Sequence, residues 1–146
     1  RHDGIHTFHV GKNSHVHYSE KHYAEGDGRG EKIMNPQTIV YLEEGASIQM
    51  ETVQIRGIDS TKRETKIVCG KNAEAVVTER LMTHGDQVAE SDMEIVLDGE
   101  NSKGRVISRS ARPSIQKWWA TAPASAMFSA TPLSWTRPIS SPFPPS

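Results

Sequence analysis

The sequence has almost no cysteine and no long apolar run. Cys69 is the one cysteine among 146 residues, which excludes an intrachain disulfide and fits a reducing compartment. No apolar run approaches the roughly 18 residues of a membrane-spanning helix. The net charge of −1 gives the chain as a whole no electrostatic reason to bind nucleic acid or a membrane surface. The chain starts at Arg1 without an initiator Met or signal-peptide features, as the interior of a longer protein would.

Acidic residues are missing after Glu100, although the chain contains 18 of them. Seven of the eight prolines and all three tryptophans lie, conversely, at or after Pro113. This change in composition divides the chain into residues 1–110 and a tail, residues 111–146. The tail lacks strand alternation, and its abundance of Pro, Ser and Ala is typical of disorder. Its tryptophans and phenylalanines are unusual for a disordered tail.

Four tight-turn signals recur within residues 1–110. Each separates two strand-like stretches and contains Gly or Asn, which tolerate a positive φ. When Asn13, Gly45, Asn72 and Asn101 are taken as equivalent, the intervals are 32, 27 and 29 residues. Near-constant spacing of turns between strands is typical of a stacked repeat.

Strands joined in this way can form a β-sandwich or a parallel β-helix. A sandwich shows turns every 8–12 residues or so, whereas here a long polar connection follows each pair of strands around a tight turn. The pattern favours an all-β fold, a β-helix of about four rungs, in which equivalent turn residues stack. Alternation in the first rung places His6, Phe8 and Val10 on one face.

Four side chains are candidate metal ligands. Cys69 lies in a strand just before a turn. It can serve there as a small buried hydrophobe, or as a thiolate that binds iron or accepts a persulfide, and the sequence leaves both roles open. Glu79 and His84 can reach a shared edge, and His22 belongs to an acidic loop whose default state is solvated. No Ser-His-Asp set, catalytic carboxylate pair or nucleotide loop stands out, so the chain is not predicted to be an enzyme.

Several motifs resemble the core of the SufB/SufD family, and they occur in the family's order. They are Lys21-His22-Tyr23-Ala24-Glu25-Gly26, Asn35-Pro36, Leu42-Glu43-Glu44-Gly45-Ala46, Asp59-Ser60-Thr61-Lys62-Arg63, Met82-Thr83-His84-Gly85, Gly99-Glu100-Asn101-Ser102 and Arg105-Val106-Ile107-Ser108-Arg109-Ser110. The resemblance implies a right-handed parallel β-helix and a cytoplasmic scaffold subunit of the Suf machinery, which carries iron–sulfur clusters transiently. It implies as partners the ATPase SufC and a SufB- or SufD-type subunit, or a second copy of the chain.

The resemblance ends abruptly after Ser110. Family members continue there with further β-helix coils, a cysteine-bearing segment and a helical segment that docks SufC, and residues 111–146 match none of these. We interpret the tail as the product of a truncated or frameshifted gene. Such a chain is expected to expose a rung edge, to self-associate and to lack the family's full assembly activity.

A carbohydrate-active β-helix enzyme, a lyase or hydrolase, is the alternative function. Glu90, Asp92 and Glu94 share one strand face, as clustered acids do in such enzymes. Residues 1–110 contain few of the aromatic side chains on which sugars stack.

Overall fold

The computed structural model describes residues 2–23, 30–83, 86–110, 115–122 and 127–132. All regular secondary structure within these ranges is β-strand. The ten strands are β1 (His2–Val10), β2 (His15–Tyr23), β3 (Ile33–Leu42), β4 (Ser47–Arg56), β5 (Ser60–Cys69), β6 (Glu74–Leu81), β7 (Val88–Leu97), β8 (Lys103–Ser110), β9 (Ile115–Thr121) and β10 (Met127–Pro132). The described residues contain no helix able to cross a membrane.

The strands form two parallel five-stranded sheets. The odd-numbered strands form sheet A in the order β1-β3-β5-β7-β9, and the even-numbered strands form sheet B in the order β10-β8-β6-β4-β2. All eight strand pairings are parallel, so each consecutive odd–even pair is one rung of a solenoid. The predicted parallel β-helix is thereby confirmed, because a sandwich would show antiparallel hairpins at the tight turns.

The tight turns stack in the register predicted from their spacing. Asn13, Gly45, Asn72 and Asn101 all adopt a left-handed backbone, with φ values of 57°, 69°, 56° and 56°. Each of the first three donates its backbone N–H to a carbonyl in the turn of the next rung, over 2.8–3.0 Å. Asn and Gly are the residues that tolerate this conformation most readily, so the local turn chemistry fixes where each rung bends.

The apolar core lies next to this turn ladder, between the two sheets. Val10, Leu42, Cys69 and Leu97 are register partners in successive rungs and form a column in sheet A that is almost fully shielded from solvent. Facing side chains of sheet B, including Ile48, complete the cluster. Strand alternation turns these residues inward and their polar neighbours outward.

Two stretches of the tail are strands, where the sequence predicts irregular structure. Strand β9 pairs with β7 and β10 pairs with β8, which continues both sheets beyond residue 110. The edges of β7 and β8 present a regular row of backbone donors and acceptors, and such an edge orders an extended chain with little regard to its side chains. The division of the chain at residue 110 stays a prediction.

Candidate functional site

The interior of the solenoid is polar on the side away from the tight turns. Glu20, Thr52, Glu79 and Ser108 are register partners in successive strands of sheet B. Strand periodicity points them inward, since Glu79 has the same parity as the buried Val77. We use the name polar row for Glu20, His22, Arg63, Glu79, Ser91 and Ser108.

Glu79 is the centre of the polar row, and its side chain is completely buried. Ser91 donates its hydroxyl to Glu79 Oε1 over 2.6 Å, and Ser108 donates to Oε2 over 3.4 Å. Arg63, only 2% exposed, places Nη1 3.8 Å from Glu79 Oε1. A buried carboxylate is tolerated only with such a counter-charge and hydrogen bonds, and these contacts provide both for Glu79.

His22 connects Arg63 to a second carboxylate. Arg63 Nη2 lies 2.8 Å from His22 Nδ1, and His22 Nε2 lies 2.6 Å from Glu20 Oε1. A guanidinium only donates hydrogen bonds, so Nδ1 accepts and Nε2–H donates to Glu20 in the neutral ring. Burial raises the pKa of Glu20, but the hydrogen bond from His22 and the charge of Arg63 bring that pKa below its ordinary value. The contacts thus link two carboxylates through one imidazole and one guanidinium.

Some buried polar atoms around the row make no hydrogen bond within the described part of the chain. They include Glu20 Oε2, Gln54 Oε1 and Arg63 Nε. Buried polar atoms without partners cost free energy. The polar row therefore contains buried polar atoms whose hydrogen-bonding capacity is not fully used.

A match to a known protein family identifies the family of this chain. The family model described as SUF system FeS cluster assembly, SufBD core domain, matches residues 4–114. The chain belongs to this family. The matched residues include all of β2 to β8, and hence every member of the polar row. Comparisons with curated proteins and with solved structures find no match.

The SufBD core domain brings two of the four candidate ligands together. His22 and Glu79 both belong to the polar row, but Arg63 lies between them and contacts each. Cys69 lies apart in the apolar column, and His84 falls outside the described residues. Over the described ranges, no group of three or more His, Cys, Asp or Glu side chains is placed to hold a metal ion.

Arg63 is not among the site residues predicted from the sequence, and His22 does not lie where the sequence predicts it. Arg63 shares the inward parity of Ile67 and Cys69 on β5, a signal that the sequence does contain. His22 was expected in a solvated loop, whereas it lies near the end of β2 and its side chain is buried. The pairing with Arg63, 41 residues away, draws the imidazole into the interior.

Cys69 of this SufBD core domain is expected to resist alkylation. Burial raises the pKa of its thiol to about 12, so the reactive thiolate is scarce at pH 8. We expect iodoacetamide to label the folded chain at least about 100-fold more slowly than the chain in urea. Mass spectrometry of timed samples measures both rates. Rapid labelling of the folded chain would show that Cys69 is accessible as a thiolate.

Proposed function

We propose that this SufBD core domain is a scaffold subunit of the cytoplasmic Suf machinery for iron–sulfur cluster assembly. It works with the ATPase SufC and with a SufB- or SufD-type subunit or a second copy. The observation that carries the proposal is the family match over residues 4–114. The stacked rungs support it, because parallel sheets with regular backbone hydrogen bonds provide a rigid surface for assembly.

The geometry of the polar row favours a scaffold over an enzyme. General acid–base catalysis needs a group that reaches the substrate proton and changes its protonation readily. Glu79 instead accepts hydrogen bonds from two serines and faces Arg63, completely shielded from solvent. On the outer face of β7, Glu94 forms an ion pair with Lys66 over 3.6 Å. Neither site favours the carbohydrate-active alternative, and the family match does not favour it.

The iron–sulfur cluster enters this proposal as cargo. Protein-bound clusters are held by several thiolate, imidazole or carboxylate ligands at one place. The proposed ligands are Cys69, Glu79, His22 and His84. Of these, Glu79 and His22 reach iron only when Arg63 moves aside, and the Cys69 thiol must first lose its proton in an apolar column.

Anaerobic reconstitution of the full chain with ferrous iron and sulfide tests the proposal. We expect a broad visible absorption band after desalting, and co-elution of the chain with a SufB- or SufD-type partner. Both the retained cluster and the binding of SufC should be lower than for a chain that contains the family's C-terminal segment. Glu79→Gln should lower the retained iron, because it removes an interior carboxylate charge. Glu94→Gln is the matched control on an outer face and should leave the retained iron unchanged.

Failure would be equally clear. If the chain neither retains iron and sulfide nor co-elutes with any Suf component, the scaffold role is wrong. Cleavage of a polysaccharide by the same preparation would establish the enzyme alternative. Circular dichroism of each variant shows whether a loss of iron reflects the missing carboxylate or an unfolded chain.

A further inference from the structure

The two outward faces of the solenoid carry opposite charge. The face of sheet B has five exposed cationic side chains and two acidic ones in the described strands. The cations are Lys21, Arg80, Lys103, Arg105 and Arg109, and the acids are Glu51 and Glu74. This sheet face is therefore basic, although the net charge of the whole chain is −1.

The outward face of sheet A has the reverse balance. Its described side chains include five acids and two lysines. The acids are Asp3, Glu64, Glu90, Asp92 and Glu94, and the lysines are Lys62 and Lys66. Both lysines already form ion pairs with acids of the same face, Lys62 with Glu64 over 3.3 Å and Lys66 with Glu94 over 3.6 Å. Counted over these described side chains, five acids and two lysines give the face a net charge of −3.

The arginines of sheet B lack comparable partners. Arg80 and Arg109 are register partners on β6 and β8, and both are exposed. Like charges placed directly across neighbouring strands destabilise a sheet. Neither arginine, nor Arg105, takes part in any ion pair found among the described residues. An acidic surface placed over these guanidinium groups would relieve their repulsion.

We propose that the outward face of sheet B docks onto the outward face of sheet A of a second copy of this chain. The inner faces of the two sheets pack against each other, so the charged faces point in opposite directions and two copies can stack. Both faces repeat at the same spacing of about 4.8 Å between strands, which lets rows of acids and arginines align. The low net charge keeps overall repulsion between copies small. This contact does not depend on the Suf role.

The size of the faces sets the strength of the contact. Eight-residue strands span about 26 Å and five strands about 19 Å, so a fully covered face buries roughly 500 Å² per copy. A standard stable interface buries about 800 Å² per partner. We therefore expect weak association that weakens further with salt, because added salt shortens the screening length. Stacking of this kind is head-to-tail and produces short open oligomers.

Charge reversal of each face, alone and in mixture, tests the proposal. Arg80→Glu/Arg109→Glu leaves both faces acidic, and Asp92→Lys/Glu94→Lys makes the acidic face basic. By sedimentation velocity at low salt, we expect the unaltered chain to associate with rising concentration and each double variant to remain monomeric. An equimolar mixture of the two variants should associate again. Lys12→Glu/Lys71→Glu changes the net charge equally at the turn ladder and should associate like the unaltered chain.

Three outcomes would overturn the proposal. The first is a monomer at low salt and high concentration. The second is association that persists both in the two face variants and in 0.5 M salt, where the screening length falls to about 4 Å. Such association would indicate that copies pair through their rung edges. The third is failure of the two variants to associate when mixed although both are folded by circular dichroism. Restored association in the mixture supports face-to-face docking, because neither variant has a complementary face of its own.

Discussion

Replacing Arg63 with methionine is expected to lower the free energy of unfolding by about 3–5 kcal/mol, the cost of removing one partner of a buried ion pair. The substitution keeps a long apolar side chain but leaves Glu79 completely buried without its counter-charge. It also removes the donor to His22 Nδ1. Most of this loss of stability arises because the Glu79 carboxylate remains buried without a counter-charge. The lost attraction between Arg63 and Glu79 contributes less.

A double-mutant cycle separates these contributions. Arg63→Met/Glu79→Gln removes both charges. The amide oxygen can accept from one of the two serines, and the amide NH2 can donate to the hydroxyl oxygen of the other. We expect the double variant to recover at least about half of the loss, since an uncompensated buried charge is no longer present. Urea unfolding followed by circular dichroism measures each free energy. Lys66→Met, on the outer face of the same strand, is the control and should change stability by less than about 1 kcal/mol.

The result that contradicts this account is additivity. If Arg63→Met and Glu79→Gln destabilise independently, and their sum equals the effect of the double variant, the two side chains are not coupled through the interior. A loss below about 1 kcal/mol for Arg63→Met would show that water or another cation compensates Glu79.

The rungs of this domain were predictable because their signals are local. A left-handed turn residue is favoured by Asn or Gly at one position, and the four predicted positions all have a positive φ. Inward and outward faces follow from strand alternation within a few residues. Phe8 and Val10 accordingly point toward the core, as predicted for the first rung.

The polar row was not predictable, because it depends on pairings between distant residues. Arg63 meets His22 across 41 residues, and Ser108 meets Glu79 across 29. These contacts require the register of both sheets, which no single strand encodes. A buried arginine also contradicts the usual preference of charged side chains for the surface, so parity alone is a weak argument for placing it inside. For Cys69, the sequence left two roles open, a buried hydrophobe and a metal ligand. The structure places Cys69 between Leu42 and Leu97 in the apolar column.

Replacing Gly99 with alanine is expected to destabilise the domain by about 3 kcal/mol, at the upper end for overpacking of a tight site. The turn of the fourth rung lies directly on the turn of the third, and a Cβ at Gly99 would overlap the backbone of Gly70 and Lys71. Backbone atoms cannot rotate away as a flexible side chain does. The alternative is a separation of the two turns, which would break the hydrogen bond from Gly99 N–H to Cys69 O, now 3.1 Å.

Gly11 provides the matched control, because it occupies the equivalent turn position in the first rung. A Cβ there would approach only Ser14 Oγ, at an ordinary distance of 3.9 Å. We expect Gly11→Ala to change stability by less than about 0.5 kcal/mol, while Gly99→Ala lowers the melting temperature by about 10 °C. Thermal unfolding followed by circular dichroism compares the two variants directly. Equal melting temperatures would mean that the third and fourth turns are not in contact, because only that contact distinguishes the two glycines.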